Sequence, residues 1–494
     1  MQLQLGQIDI AKITFDPKSR DDIPQILKGL QRIYVNPTIR EAIFEVLEKN
    51  ILPEVDKSNG RPGMELWKIF VLGVLRLDLN CDYDRLHELA NNHRTIRLML
   101  GHGLEDTSEY HFQTLKDNVH LLTPELLEQI NQIVVQVGHV VLKKKENEAL
   151  HGRCDSWVVE TNVHYPTDIN LLFDAMRKII TAIAKLSDKY QLSDWRQSAY
   201  NIRHVKRLMR IIQNKKRIKG STDEQKKKRD ALIKKAHQEY LIATKQYLAK
   251  TNYVLEVLET KGLEIMDIVL VDEIKYFTAH ANRQIEQIDR RVLRGEVIPH
   301  AEKVFSIFEP HTEWICKGKA GVPVELGLRV CIVENQYQFI LHHQVMEKQT
   351  DDQIAVSIIQ KAKALFPGLQ GASFDKGFHS PDNQAILSKE LTLLALPRKG
   401  RLSARARAIE EAPAFRKARR KHAAVESAIN ALEAHGLDYC PDRGLHRFKC
   451  YVALAIVSRN IKRIGAILQK REQKRLQRQN KKRRHMHNVL KLAA

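Results

Sequence analysis

Apolar residues crowd together from Met64 to Arg76, where Leu66, Ile69, Phe70, Leu72, Val74 and Leu75 leave almost no polar face. A helix that apolar belongs in a domain core, not at a surface. The surrounding pattern predicts more helices. One runs from Asp82 to Asn92, and another from Arg94 to Leu100, ended by Gly101 and Gly103. A long one is capped by Thr123, has Pro124 at its first position and runs to about Lys145. Short helices with brief turns suit a helix-turn-helix type of module or a plain helical scaffold.

The pattern changes at His151. Arg153 to Val159, with β-branched and aromatic residues, reads as a strand. Pro166-Thr167-Asp168 then opens a helix with apolar residues at 171, 172, 175, 176, 179, 180, 183 and 186. The helical pattern breaks at Gly220-Ser221 and restarts from a capping box, Ser221-x-x-Glu224. From Arg203 to Lys235 the charge is dense, including Lys206, Arg207, Arg210, Lys215, Lys216, Arg217, Lys226, Lys227, Lys228 and Arg229. That run is either a solvated helical face or a track for a phosphate backbone.

After Gly295 strands are expected again. They are Val304 to Phe308, then Glu325 to Val333 and Gln338 to Met346 about a hairpin at Glu334-Asn335-Gln336. Thr350-x-x-Gln353 caps a helix, Ala372 to Asp375 is a strand, Ser380-Pro381 opens a helix, and Thr392 to Leu396 is a strand. A helix from about Ala414 to His435, closed by Gly436, precedes an apolar helix from Phe448 to Leu468 and a Lys/Arg/Gln tail. Mixed strands and helices predict a central sheet with helices packed against it, an α/β class.

Composition narrows the partners. The 494 residues carry 81 Lys plus Arg against 59 Asp plus Glu, a net charge of +22. That surplus favours nucleic acid over other partners. No run of 18 apolar residues occurs, so no membrane span is expected. Six scattered Cys form no Cys-x2-Cys, and a reducing cytoplasm is the expected compartment, with the protein drawn to the nucleoid through DNA.

Three carboxylates fall at distinctive places: Asp155 on the first strand, Asp375 at the end of a later one, and Glu426 on a late helix. Breaking a phosphodiester puts developing charge on the attacking and leaving oxygens. Two hard cations ~3.5–4 Å apart stabilise both, and such ions take carboxylate ligands. Spacing alone does not select these three among 59 acidic residues.

Three blocks do select them. Arg153-Cys-Asp-Ser-Trp-Val-Val-Glu-Thr-Asn-Val-His-Tyr-Pro-Thr-Asp168, Ser373-Phe-Asp-Lys-Gly-Phe-His-Ser380 and Arg420-Lys-His-Ala-Ala-Val-Glu-Ser-Ala-Ile-Asn430 resemble, in that order, the catalytic blocks of the DDE transposases of bacterial insertion sequences, especially the ISNCY group. Pro299 to Glu309, Lys317 to Gly321, His435 to Asp442 and Tyr451 to Asn460 also look like family segments. The resemblance covers most of residues 60–465. It implies a ribonuclease-H-like mixed sheet flanked by helices, with Asp155, Asp375 and Glu426 as ligands of two Mg²⁺ or Mn²⁺ ions. It also implies cleavage at the terminal inverted repeats of double-stranded DNA, joining to target DNA, and a homodimer or larger assembly. The chain then divides into a helical DNA-binding domain (1–150), a catalytic domain (151–469) with a basic helical insertion (about 167–300), and a basic tail (470–494).

Two departures stand out. Asp375 lies 220 residues beyond Asp155, which the insertion accounts for. Many relatives carry Tyr-x2-Arg-x3-Glu-x6-Lys around the glutamate, whereas Arg419, His422 and Glu433 hold those flanking positions here. Candidate DNA contacts are Lys376, His379, Arg398, Lys399, Arg420, Lys421 and His422. Glu160 and Asp168 are alternative first carboxylates, although Asp168 reads as a helix cap. Glu433, about two turns past Glu426, reads as a solvated or paired neighbour on the same helix face. Cys440, His446 and Cys450 match no common zinc spacing. Lys317-Gly-Lys-Ala-Gly321 lacks the phosphate-loop pattern and reads as a basic turn.

Overall fold

In a computed structural model of the chain, the structure describes residues 9–51, 63–219, 221–316 and 323–493. The expected basic turn at 317–321 and the break at Gly220 lie outside them. By contact the chain forms two compact units, residues 163–314 and the remainder.

The larger unit begins with helices α1 (Ile23–Val35), α2 (Pro37–Ile51), α3 (Leu66–Asp78), α4 (Tyr83–Asn92), α5 (Arg94–Met99), α6 (Phe112–Val119) and α7 (Pro124–Leu142). Every residue of α3 but Lys68 is buried, as its unbroken apolar run requires. Thr123 caps α7 by accepting from the Leu126 N–H. Strand β1 (Leu150–Thr161) follows.

The smaller unit is helical, with α8 (Asp168–Lys189), α9 (Ser198–Arg217), α10 (Asp223–Glu259) and α11 (Ile265–Ile288) around their own apolar core. Three expectations are corrected here. The cap of α8 is Thr167, while Asp168 is its first residue and pairs with Arg291 at 2.7 Å. The capping box of α10 is Thr222 with Gln225, one residue later than expected, so Asp223 and Glu224 occupy the first turn. Residues 304–308 are not a strand. Ile307 is buried and Phe308 packs edge-on to Phe277 of α11, so these side chains anchor the segment on helices instead of pairing with a neighbour.

The next strand is β2 (Glu313–Cys316). The chain continues through β3 (Val324–Asn335), β4 (Ile340–Met346), α12 (Asp351–Leu365), β5 (Leu369–Phe374), α13 (Pro381–Glu390) and β6 (Leu393–Ala395). Then come α14 (Ala404–Glu411), α15 (Pro413–His422), α16 (Ala424–Leu432), β7 (Tyr439–Cys440) and α17 (Leu445–Ala493). The seven strands form one mixed sheet ordered β2-β3-β1-β5-β6, with β4 on β3 and β7 on β1. β1 runs antiparallel to β3 and parallel to β5, and β5 parallel to β6. The architecture is thus mixed α/β, with more helix than strand. No helix among the described residues is long and apolar enough to cross a membrane.

The helices before β1 share one apolar core with the sheet. α17 packs on α1, α3 and α7. Asn460 of α17 donates to the side-chain amide oxygen Oδ1 of Asn131 in α7 at 2.7 Å and accepts from the Ile340 N–H of β4 at 2.9 Å. These buried amides satisfy sheet backbone that would otherwise be orphaned. Arg76 of α3 grips Asp442 with two bonds of 2.8 and 2.6 Å, tying the early helices to the segment after Glu426.

The expected single helix over 414–435 is broken at Ala423. Before the break α15 buries only Phe415, whereas α16 buries Val425, Ala428, Ile429 and Leu432. Glu433 begins a wider turn instead of a further turn of the same helix, and Gly436 adopts φ +98° there. The tail expected at 470–494 continues α17, and Glu472 pairs with Lys28 of α1.

Candidate active site

The register of β1 against β5 pairs Arg153 with Ser373 and Cys154 with Phe374. Asp155 and Asp375 are the next residues on each side, so they are neighbours, and alternation along β1 puts the Asp155 side chain on the face of Arg153. β5 ends at Phe374, and Asp375 stands just before a short 3-10 turn, Lys376–Phe378, without a side-chain cap bond to it. Helices α15 and α16 pack on the sheet through β5, β6 and β1.

Asp155 is half-buried and its Oδ1 accepts from the Ser156 N–H at 2.8 Å. Burial raises its pKa to about 6, and the charges of Asp375, Asp351 and Glu426 add to the rise, while the Ser156 N–H opposes it. Asp375, Asp351 and Glu426 therefore lie within electrostatic reach of Asp155. Asp375 and Glu426 are exposed. Among the described residues, no three His, Cys, Asp or Glu side chains converge closely enough to form a ready metal-ligand group. Of the alternatives, Asp168 is held by Arg291 in the other unit, and Glu160 lies farther along β1.

A fourth carboxylate, Asp351, was missed in the sequence. It is the first residue of α12, and its Oδ1 accepts from the Ser156 hydroxyl at 2.6 Å. A methyl group built on Gly377 would stand 3.0 Å from its Oδ2. Asp351 thus touches both the Asp155-Ser156 pair and the turn after Asp375. In the sequence, Asp351-Asp352 reads only as first-turn acids that complement the helix dipole.

His422, at the end of α15, has its Nδ1 3.1 Å from the Ser373 hydroxyl. Burial lowers its pKa, against the pull of nearby Asp375 and Glu426. Arg153 is buried, paired with Glu334 at 2.8 Å, and donates to the Asn335 carbonyl at 2.6 Å. It is a structural cation, not a free phosphate contact. Lys376, Arg398 and Lys399 are exposed. The pKa of His379 is lowered by burial and by the charges of Arg398 and Lys399, so these three form one neighbourhood. Arg420 and Lys421 line a groove of about 740 Å³ with Lys417, Arg153 and Ser373. Arg419 stands 4.0 Å from Glu410.

Comparisons with protein-family models, with curated proteins and with solved structures find no match.

Proposed function

We propose that this chain is a DDE-type DNA transposase that cuts at insertion-sequence ends and joins the freed 3′-hydroxyls to target DNA. The observation that carries this reading is the β1–β5 register, which sets Asp155 beside Asp375, with Glu426 in the same electrostatic neighbourhood. The sheet supports it as well. Asp155 lies on β1 and Asp375 just after β5, two neighbouring parallel strands of the mixed sheet.

The donor chemistry of Asp155, Asp375 and Glu426 fits Mg²⁺ or Mn²⁺, since hard cations take carboxylate oxygens. Two such ions, when bound, stabilise charge on the attacking and leaving oxygens of a phosphodiester. The chain's own residues do the rest. Clustered carboxylates repel one another and are held together by a cation at the site. His422, its pKa lowered by burial and its Nδ1 within hydrogen-bond distance of Ser373, offers a hydrogen-bonding group beside Asp375 and Glu426. Lys376, His379, Arg398, Lys399, Arg420 and Lys421 supply phosphate contacts beside the cut. The early helices and the basic insertion hold the terminal repeats, and joining two ends calls for a dimer or larger assembly.

The test uses purified protein, the gene's flanking DNA and Mg²⁺, with products resolved on a gel. Joined end–target products are expected. Cutting without joining would replace this reading with a nuclease or resolvase of the same fold. Binding with neither would indicate a catalytically inactive derivative.

Asp351 acts on the same site through its neighbours. Asp351→Ala and Ser156→Ala are each expected to slow cleavage about 10–100-fold, the usual cost of losing a partner that orients a metal ligand. Asp351→Asn keeps an acceptor for the Ser156 hydroxyl and should lose less. Equal losses for Asp351→Asn and Asp351→Ala would show instead that the charge itself is required.

A further inference from the structure

α9 has 20 residues, Ser198–Arg217, and no Asp or Glu among them. It buries Val205, Met209 and Ile212, and packs on α8 and α10 within the 163–314 unit. Arg203, Lys206, Arg207, Arg210 and Arg217 are all exposed. Their spacing of three, four and seven residues keeps them on one stripe of the helix. From Arg203 to Arg217 that stripe is about 21 Å long at 1.5 Å per residue. One DNA strand presents roughly six phosphates over that length at 3.4 Å per charge. Among the described residues none of the five has a carboxylate within ion-pair distance.

The start of α10 is as rich in cations but differs in kind. There Lys226 pairs with Asp223 at 3.0 Å, Lys228 with Glu224 at 3.0 Å and Arg229 with Asp230 at 2.8 Å. Those positive charges are largely spent on their own helix. The charges of α9 are not, because its other side is used by the core and its outer side carries no acids.

We propose that the outer face of α9 is the surface by which the 163–314 unit docks on duplex DNA, gripping the phosphate backbone without reading sequence. This rests on the reading of the chain as a protein that acts on DNA. A duplex suits the stripe better than a membrane does. A membrane-surface helix inserts an apolar face, whereas the apolar face of α9 is in the core, and its exposed face carries only Tyr200 at the start. The absence of an aromatic series along the stripe also sets it apart from single-strand platforms, which stack successive bases.

The test measures binding of the full-length protein to a short labelled DNA duplex of arbitrary sequence, in EDTA so that no strand is cut, between 50 and 200 mM salt. Each phosphate contact contributes about 0.9 to the slope of log affinity against log salt. Arg203→Gln, Arg207→Gln and Arg210→Gln together should reduce that slope by about 2.7, with an unchanged melting temperature. The matched α10 control, Lys226→Gln, Lys228→Gln and Arg229→Gln, should change it by less than about 1. Equal reductions by both triples, or none by the α9 triple, would overturn the assignment while leaving the proposed function standing. So would an α9 triple that loses binding to anionic lipid vesicles but keeps its DNA slope. Failure of the wild type on the arbitrary duplex alone would also overturn the assignment, whereas a wild-type protein that binds neither this duplex nor the gene's own flanking ends would remove the proposed function itself.

Discussion

Asp375→Asn is expected to bind duplex DNA as tightly as wild type and to lose strand cleavage by about a thousandfold or more. The side chain keeps its shape and loses its charge, so the turn over Lys376–Phe378 should survive. What goes is one of the carboxylates proposed to draw cations to the site. A cation clamp on a reacting phosphate is worth several kcal/mol, and each ~1.4 kcal/mol is tenfold in rate. Asp155→Asn and Glu426→Gln should lose as much. The double variant should lose little more, since groups acting as a unit are not additive. Retained cleavage by Asp375→Asn, in a single-turnover assay with Mg²⁺, would remove Asp375 from the site.

Gly465→Ala is expected to destabilise the larger unit by roughly 3 kcal/mol, the upper range for forcing extra volume into a packed core. Here two physical effects have opposite signs. In a helix interior Ala is more favourable than Gly by about 1 kcal/mol. But α17 crosses α1 at Gly465 and Gly29, and a methyl group at Gly465 would overlap the Gln25 carbonyl oxygen and come within 3.1 Å of the Gly29 nitrogen. Backbone atoms cannot swing aside, so overlap outweighs propensity and the helices must separate. Urea unfolding reads the sign directly, and a stabilised variant would contradict the close crossing.

The sequence was most informative where one local rule decided the outcome. The apolar run of α3 could only be core, and Thr123-Pro124 could only open a helix. Asp155 and Asp375 were singled out through their blocks, and the parallel register of β1 and β5 makes them neighbours. What escaped depended on distant contacts. Asp351 is a first-turn acid until α12 is set against Ser156 and Gly377. Residues 304–308 have strand composition, yet Phe308 finds a ring on α11 instead of a neighbouring strand. The break at Ala423 was hidden because α15 and α16 are each acceptable helices. Only the contrast between a solvated basic face and a buried apolar one separates them. Arg153 lies in the first of the three blocks but is spent on buried Glu334, a pairing that spacing along the chain does not reveal.

Anomalous scattering from crystals soaked in Mn²⁺ tests the central claim most directly. Two peaks ~3.5–4 Å apart, bounded by the carboxylates of Asp155, Asp375 and Glu426, are the predicted result. Saturating Mn²⁺ bound elsewhere, with these three side chains uncoordinated, would contradict it.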